Sequence, residues 1–171
     1  MFNKTQWILI SVLVVQLMFI VWPTLNRASS GTDTLFLKLN SQTVKQIVIE
    51  KKDQPVLTFV DLDGQWVLPG DKQKIVNQDK VEALLKRLLS IKSSWPVAQT
   101  TTSVERFRVG KKNYLASIKL IDEQQQAVVL MLGLSPGSSA TYARIAGTDA
   151  VYLIPFNVLD VSVHGKDWLV E

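Results

Sequence analysis

Residues 7–22 read WILISVLVVQLMFIVW, apolar on every helical face, with one Gln and no charge. A helix over this run would be about 24 Å long at ~1.5 Å per residue, slightly short of a ~30 Å hydrocarbon core. Thr5, Gln6, Pro23, Thr24 and Leu25 can extend it into the interface. Trp7 and Trp22 bracket the run where an aromatic belt places tryptophans, and Pro23 is a natural stop. The pattern predicts a transmembrane anchor over 1–25, followed by a small-polar, flexible tether over 26–34 (NRASSGTDT). Beyond the tether the period changes. Residues 44–51 (VKQIVIEK) and 56–61 (VLTFVD) read as strands, and 65–68 (QWVL) as a third. Asp63-Gly64 between the last two is a hairpin signal, because a type I′ turn needs positive φ at both central positions. The period then becomes helical: Asn77 is a good N-cap, and Val81, Leu84, Leu85, Leu88 and Leu89 recur on one face. Val76 and Val81 occupy the staple positions around the cap. Residues 99–103 (QTTTS) read as a polar link. Strands over 114–121 and 127–132 flank a charged tip (DEQQQ), and strands over 141–145 and 151–154 flank AGTD. Pro155 can serve as N1 of a short last helix over 156–161.

These elements predict an α+β protein: an N-terminal transmembrane helix, then one mostly antiparallel β domain over 35–171 with one main helix and a short C-terminal helix. The units 44–89 and 114–161 share a rhythm, which leaves open two similar β-β-β-α halves. A cleaved signal peptide competes with the anchor reading, since Lys4 makes a basic n-region and Ala28-Ser29-Ser30 loosely fits a cleavage site. Trp22 and Arg27 lie between the apolar run and that site, and favour the uncleaved anchor. Lys4 and the α-amino group favour a cytoplasmic N-terminus. The expected location is therefore the bacterial inner membrane, with the α+β domain in the periplasm.

Composition narrows the chemistry. The net charge of +4 falls to +2 once Lys4 and Arg27 are set aside, with 17 basic residues against 15 acidic ones. That balance does not suggest nucleic-acid binding, which needs basic residues gathered on one face. With no Cys, the chain has no lipoprotein anchor, disulfide, zinc-thiolate site or thiol nucleophile.

Each candidate site has a plainer alternative. Gly133 and the following SPGSS invite a phosphate-loop reading, yet they lead into a strand pattern and no Gly-Lys-Ser/Thr follows; a hairpin loop is preferred. His164 is the only histidine, and Asp160 and Asp167 stand near it in no known ligand spacing. Asp61 and Asp63 flank a tight turn, where hydration is the simpler role. Arg106, Arg108, Lys111 and Lys112, with Phe107 and Tyr114, form the local basic cluster, able to meet anionic headgroups or an acidic partner. Trp66 reads as a packing residue with a ligand-stacking alternative. The candidate interaction surface is therefore Arg106, Arg108, Lys111, Lys112 and Trp66. No residues are assigned to catalysis, cofactor or metal.

The order of motifs carries a resemblance. It runs from Val44, Ile47 and Ile49 to Gly64-Gln65-Trp66-Val67-Leu68, then to the helix with Val81, Leu84, Leu85 and Leu88. Leu132-Gly133, Tyr142-Ala143-Arg144, Val151-Tyr152-Leu153 and Trp168 follow. From Val44 to Trp168 the chain resembles the bacterial domain of unknown function 4340 family. Members of that family look like membrane-tethered envelope domains, some beside or fused to auxiliary subunits of ABC-type transport systems of the gliding-motility kind. The resemblance implies a non-enzymatic accessory role and supplies no catalytic residues. The expected partners are membrane lipid, through the N-terminal helix, and another membrane or envelope protein. An envelope polymer- or lipid-binding module is the alternative function, and a periplasmic hydrolase the third.

Overall fold

The computed structural model describes residues 34–70, 75–93 and 95–170. The apolar run with Trp7 and Trp22, and the tether up to residue 33, lie outside the described residues. Among the described residues no helix is long and apolar enough to cross a membrane.

In chain order the elements are β1 (Thr34–Leu35), β2 (Val44–Lys51), β3 (Leu57–Leu62), β4 (Gln65–Val67), α1 (Gln78–Leu89), β5 (Lys92–Ser93), α2 (Thr101–Arg106), β6 (Ala116–Asp122), β7 (Ala127–Leu132), β8 (Thr141–Ile145) and β9 (Tyr152–Ile154), followed by 3-10 turns at Val158–Asp160 and Gly165–Trp168. Seven strands form one antiparallel sheet in the order β4-β3-β2-β6-β7-β8-β9, and β1 pairs with β5 alone. The α+β architecture expected from the pattern is therefore present.

Alternation drives this arrangement. On β2, Ile47 and Ile49 are fully buried, while Val48 and Glu50 on the opposite pleat are half-buried. On β7, Leu130 and Leu132 enter one core while Met131 enters another. The larger core lies on the face covered by α1, whose Val81, Leu84, Leu85, Leu88 and Leu89 are all buried. Each such side chain stabilises the fold by about 1.5–3 kcal/mol relative to exposure. Asn77 caps α1 by accepting from the Lys80 N–H at 3.1 Å. At the β3–β4 hairpin, Asp63 and Gly64 both have positive φ (54° and 84°), as the type I′ geometry requires. The Asp61 carboxylate braces that turn by accepting from the Gly64 N–H at 2.7 Å.

The two halves meet through their first strands. β2 pairs with β6 from Val44↔Asp122 to Lys51↔Ala116, and a meander runs outward from each. The halves are not equivalent, however. The second contains four strands and ends without an α-helix. The helix expected over 156–161 is a single 3-10 turn, in which Asn157 accepts from the Leu159 N–H at 2.9 Å. The reason is packing: Phe156, Val158, Val161 and Val163 are all buried, and Val161 returns to extended backbone. An extended chain lays this series across the sheet, where it joins Trp168 in the main core. The polar link expected over 99–103 instead opens α2, with Thr100 as N-cap, its hydroxyl accepting from the Ser103 N–H at 3.3 Å.

Both sheet edges are occupied. At β4 the Trp66 N–H donates to Gln78 Oε1 at 2.7 Å, and Gln78 Nε2 donates to the Trp66 carbonyl at 3.0 Å. One amide thus stands in for a neighbouring strand. Ahead of β9, Val151 exchanges backbone bonds with Val97 and Ala98 at 2.8 Å each.

Candidate functional site: a braced basic loop

The opposite face of the sheet carries a smaller core of Val104, Val109, Met131 and Val151, with Phe107, Tyr114 and Tyr142 packed against it. The segment that leaves α2 crosses this core. Arg106 is the last residue of α2, and Arg108 adopts positive φ (55°), which turns the chain back so that Val109 is fully buried. Arg106, Arg108, Lys111 and Lys112 are all exposed. The loop thus presents its four cations outward while its apolar residues point in.

Neighbouring residues hold the loop from three sides. A Cβ on Gly133 would lie 2.1 Å from the Phe107 carbonyl oxygen and 2.7 Å from that of Arg108. Only glycine lets β7 pass so close beneath the loop. At this contact the Leu134 N–H donates to the Phe107 carbonyl at 3.0 Å. From β8, the buried Arg144 donates through Nε to the Val109 carbonyl at 2.8 Å, and through a terminal nitrogen to the Thr148 carbonyl at 2.8 Å. Within the loop, Asn113 Oδ1 accepts from the Gly110 N–H at 2.9 Å, while its Nδ2 donates to the Glu105 carboxylate at 2.6 Å. Tyr142 places its ring 4.2 Å from that of Phe107, and the Arg106 guanidinium lies 5.8 Å from the Phe107 centroid. At the far end, the Tyr114 hydroxyl bonds to Glu50. This bond, with burial next, pushes the phenol up to about 12. Burial lowers the ammonium of Lys51.

The remaining candidates lie apart from this loop. Trp66 is only 6% exposed and packs in the main core, with an edge on the groove of about 670 Å³ that Asp61 also lines. His164 is exposed and is not among the residues that line the grooves of about 340, 450 and 670 Å³. The Asp167 carboxylate accepts directly from the Ser162 hydroxyl at 2.5 Å, so the imidazole does not stand between them as a relay would require. Among the described residues no group of three acidic or imidazole side chains could hold a metal ion. Asp61 pairs with Lys45 at 2.7 Å while bracing its turn. The SPGSS run is the β7–β8 loop, with Ser135 and Thr141 hydroxyls 2.9 Å apart. A groove of about 340 Å³ between α1 and the C-terminal segment is bridged by Arg87 and Asp160 at 2.9 Å. Another of about 670 Å³ is lined by Lys45, Asp61, Asp79, Glu82 and Lys86.

The supports of the loop carried no signal when read one by one. An arginine within the strand Thr141–Ile145, whose neighbour Ala143 is fully buried, was the available clue that the charge points to something specific.

Comparison with curated proteins finds no match, and comparison with solved structures finds none either. The family model described as a domain of unknown function (DUF4340) matches residues 66–171, from β4 through the C-terminal segment. β2 and β3, which complete one side of the sheet, precede the matched region. Leu132-Gly133, Tyr142-Ala143-Arg144 and Val151-Tyr152-Leu153, on which the resemblance partly rested, are the strands and contacts that carry the basic loop. With more than half of its length matched in this way, the chain belongs to the domain of unknown function 4340 family.

Proposed function

We propose that this protein is a single-pass inner-membrane protein that presents a non-enzymatic interaction domain to the periplasm, as an accessory to a membrane complex of the ABC transport kind. The observation that supports this reading best is the braced loop. Four exposed cations sit on a backbone held by Gly133, Arg144 and Asn113. A loop ordered before binding loses less conformational freedom when a partner docks, which is how a recognition surface gains affinity. The apolar run at 7–22 supports the membrane address.

The test uses the full chain in bacterial membranes. Carbonate washing should leave it in the membrane pellet, and protease added from the periplasmic side should digest a C-terminal tag. Crosslinking followed by purification in detergent should then recover a specific membrane protein. Release by carbonate would remove the anchor. Retention with no specific crosslinked partner would leave an anchored protein without the accessory role.

A further inference from the structure

We propose that the basic loop and an apolar rim beside it form a peripheral contact with anionic lipid headgroups, so that the domain lies against the membrane its N-terminal run enters. This rests on the anchored reading given above. Three observations converge on it. The first is charge: Arg106, Arg108, Lys111 and Lys112 are exposed within seven residues, four cations against one adjacent acid, Glu105, whose carboxylate also accepts from Asn113.

The second is the rim. Leu134, 38% exposed, is bonded through its backbone to Phe107. Leu153, 37% exposed, pairs with Tyr142, whose ring stacks on Phe107. Val97, 49% exposed, is bonded to Val151, two residues from Leu153 along the same edge, and Trp95, 60% exposed, stands two residues before it in the chain. Cations flanked by exposed leucine, valine and tryptophan suit a surface with negative charge above hydrocarbon.

The third is the position of the chain leading out. Thr34, where the described domain begins, pairs with Ser93, two residues from Trp95 in sequence. A short tether holds the bilayer at an effective concentration that no soluble partner matches. Each cation near an anionic surface is worth about fivefold in partitioning, and added salt should weaken the contact.

The chain has no Cys, so single labelled cysteines report without background. The full chain carrying Leu134→Cys, or Gln124→Cys as a control at the β6–β7 tip, is spin-labelled. It is then reconstituted into phosphatidylcholine liposomes with or without roughly a third phosphatidylglycerol. At position 134 the label should lose severalfold of its collision rate with a water-soluble nickel reagent when phosphatidylglycerol is present. The protection should vanish in high salt and when the four cations are changed to Gln, fall with Trp95→Ser, and be absent at position 124. Equal exposure in both lipids, in protein that has inserted, overturns the proposal while leaving the anchor intact. So does protection that requires an added acidic protein. If the chain does not insert, the anchored reading fails. Co-flotation with phosphatidylglycerol vesicles then decides the headgroup contact: flotation supports it and its absence overturns it.

Discussion

Gly133 shows how a single residue governs the surface. An added methyl would meet the Phe107 carbonyl at 2.1 Å, and the obstacle is backbone, which cannot swing aside as a side chain would. Gly133→Ala should cost about 1–3 kcal/mol, as overpacking does, and lower the melting temperature by several degrees. Gly137→Ala, with open space around it, should be close to neutral. Thermal unfolding followed by circular dichroism compares the two, and equal melting points would contradict the close-approach account. Tyr114 provides a pH test. Its folded-state pKa, raised to about 12, exceeds the unfolded value of about 10, so the folded state holds the proton more tightly. The stabilisation is fully present below pH 10 and is lost as pH rises from about 10 to about 12. In denaturant titrations across that window, wild type should lose stability more steeply than Tyr114→Phe. Glu50→Gln should move the phenol back toward its ordinary range, readable by ultraviolet titration.

At the scale of elements, α1 does two jobs. Its leucine face closes the main core, and its first residue closes an edge of the sheet. The Gln78 amide accepts from and donates to Trp66, so it must supply both an oxygen and an N–H. Gln78→Glu keeps the acceptor and removes the donor, setting a carboxylate against the Trp66 carbonyl. A carboxylate in the first turn gains about 0.3–1 kcal/mol from the helix dipole, whereas an orphaned, partly buried carbonyl costs about 1–3 kcal/mol. The loss should prevail. The variant should melt lower and, with its edge less protected, self-associate more than wild type by light scattering in the same detergent. An unchanged melting point and unchanged mass would show that the amide is dispensable. α1 itself was legible because five apolar positions at helical spacing and a cap at Asn77 are local signals. α2 was not: six residues with Val104 as the single buried position leave no period to read. The C-terminal segment departs from the helix its pattern predicts for a related reason. Pro155 and the following residues permit a helical turn, and only the sheet beneath makes the extended chain the better way to bury Phe156, Val161 and Trp168.

Across the described domain, the β2–β6 seam joins the halves into one sheet. The main core contains residues from both sides of it, from Val44 to Trp168, and Phe59 on β3 meets Trp168 edge-on at 5.2 Å. Neither half buries its apolar face alone. The domain should therefore unfold in one transition, with tryptophan fluorescence and far-ultraviolet circular dichroism giving coincident curves. Two separated transitions would show that the halves fold independently. Trp168→Ala should destabilise the whole domain by about 3–5 kcal/mol, although the residue lies far from the seam in sequence.

By itself the sequence determined the seven strands of the main sheet, the Asp63-Gly64 hairpin, α1 and the family, but not the short β1–β5 pair. Each is written in residues within a few positions of one another, or in the order in which short motifs recur. Alternation and helical spacing need no knowledge of the partner surface. Only the tertiary structure decided that the two halves share a sheet through their first strands, because strand pairing between residues some seventy positions apart depends on where the whole chain can bury its apolar faces. It also decided that Trp66 is core, and that the basic cluster is a braced loop. That brace is built largely from Gly133 and Arg144, which reach the loop only when β7 and β8 carry them there.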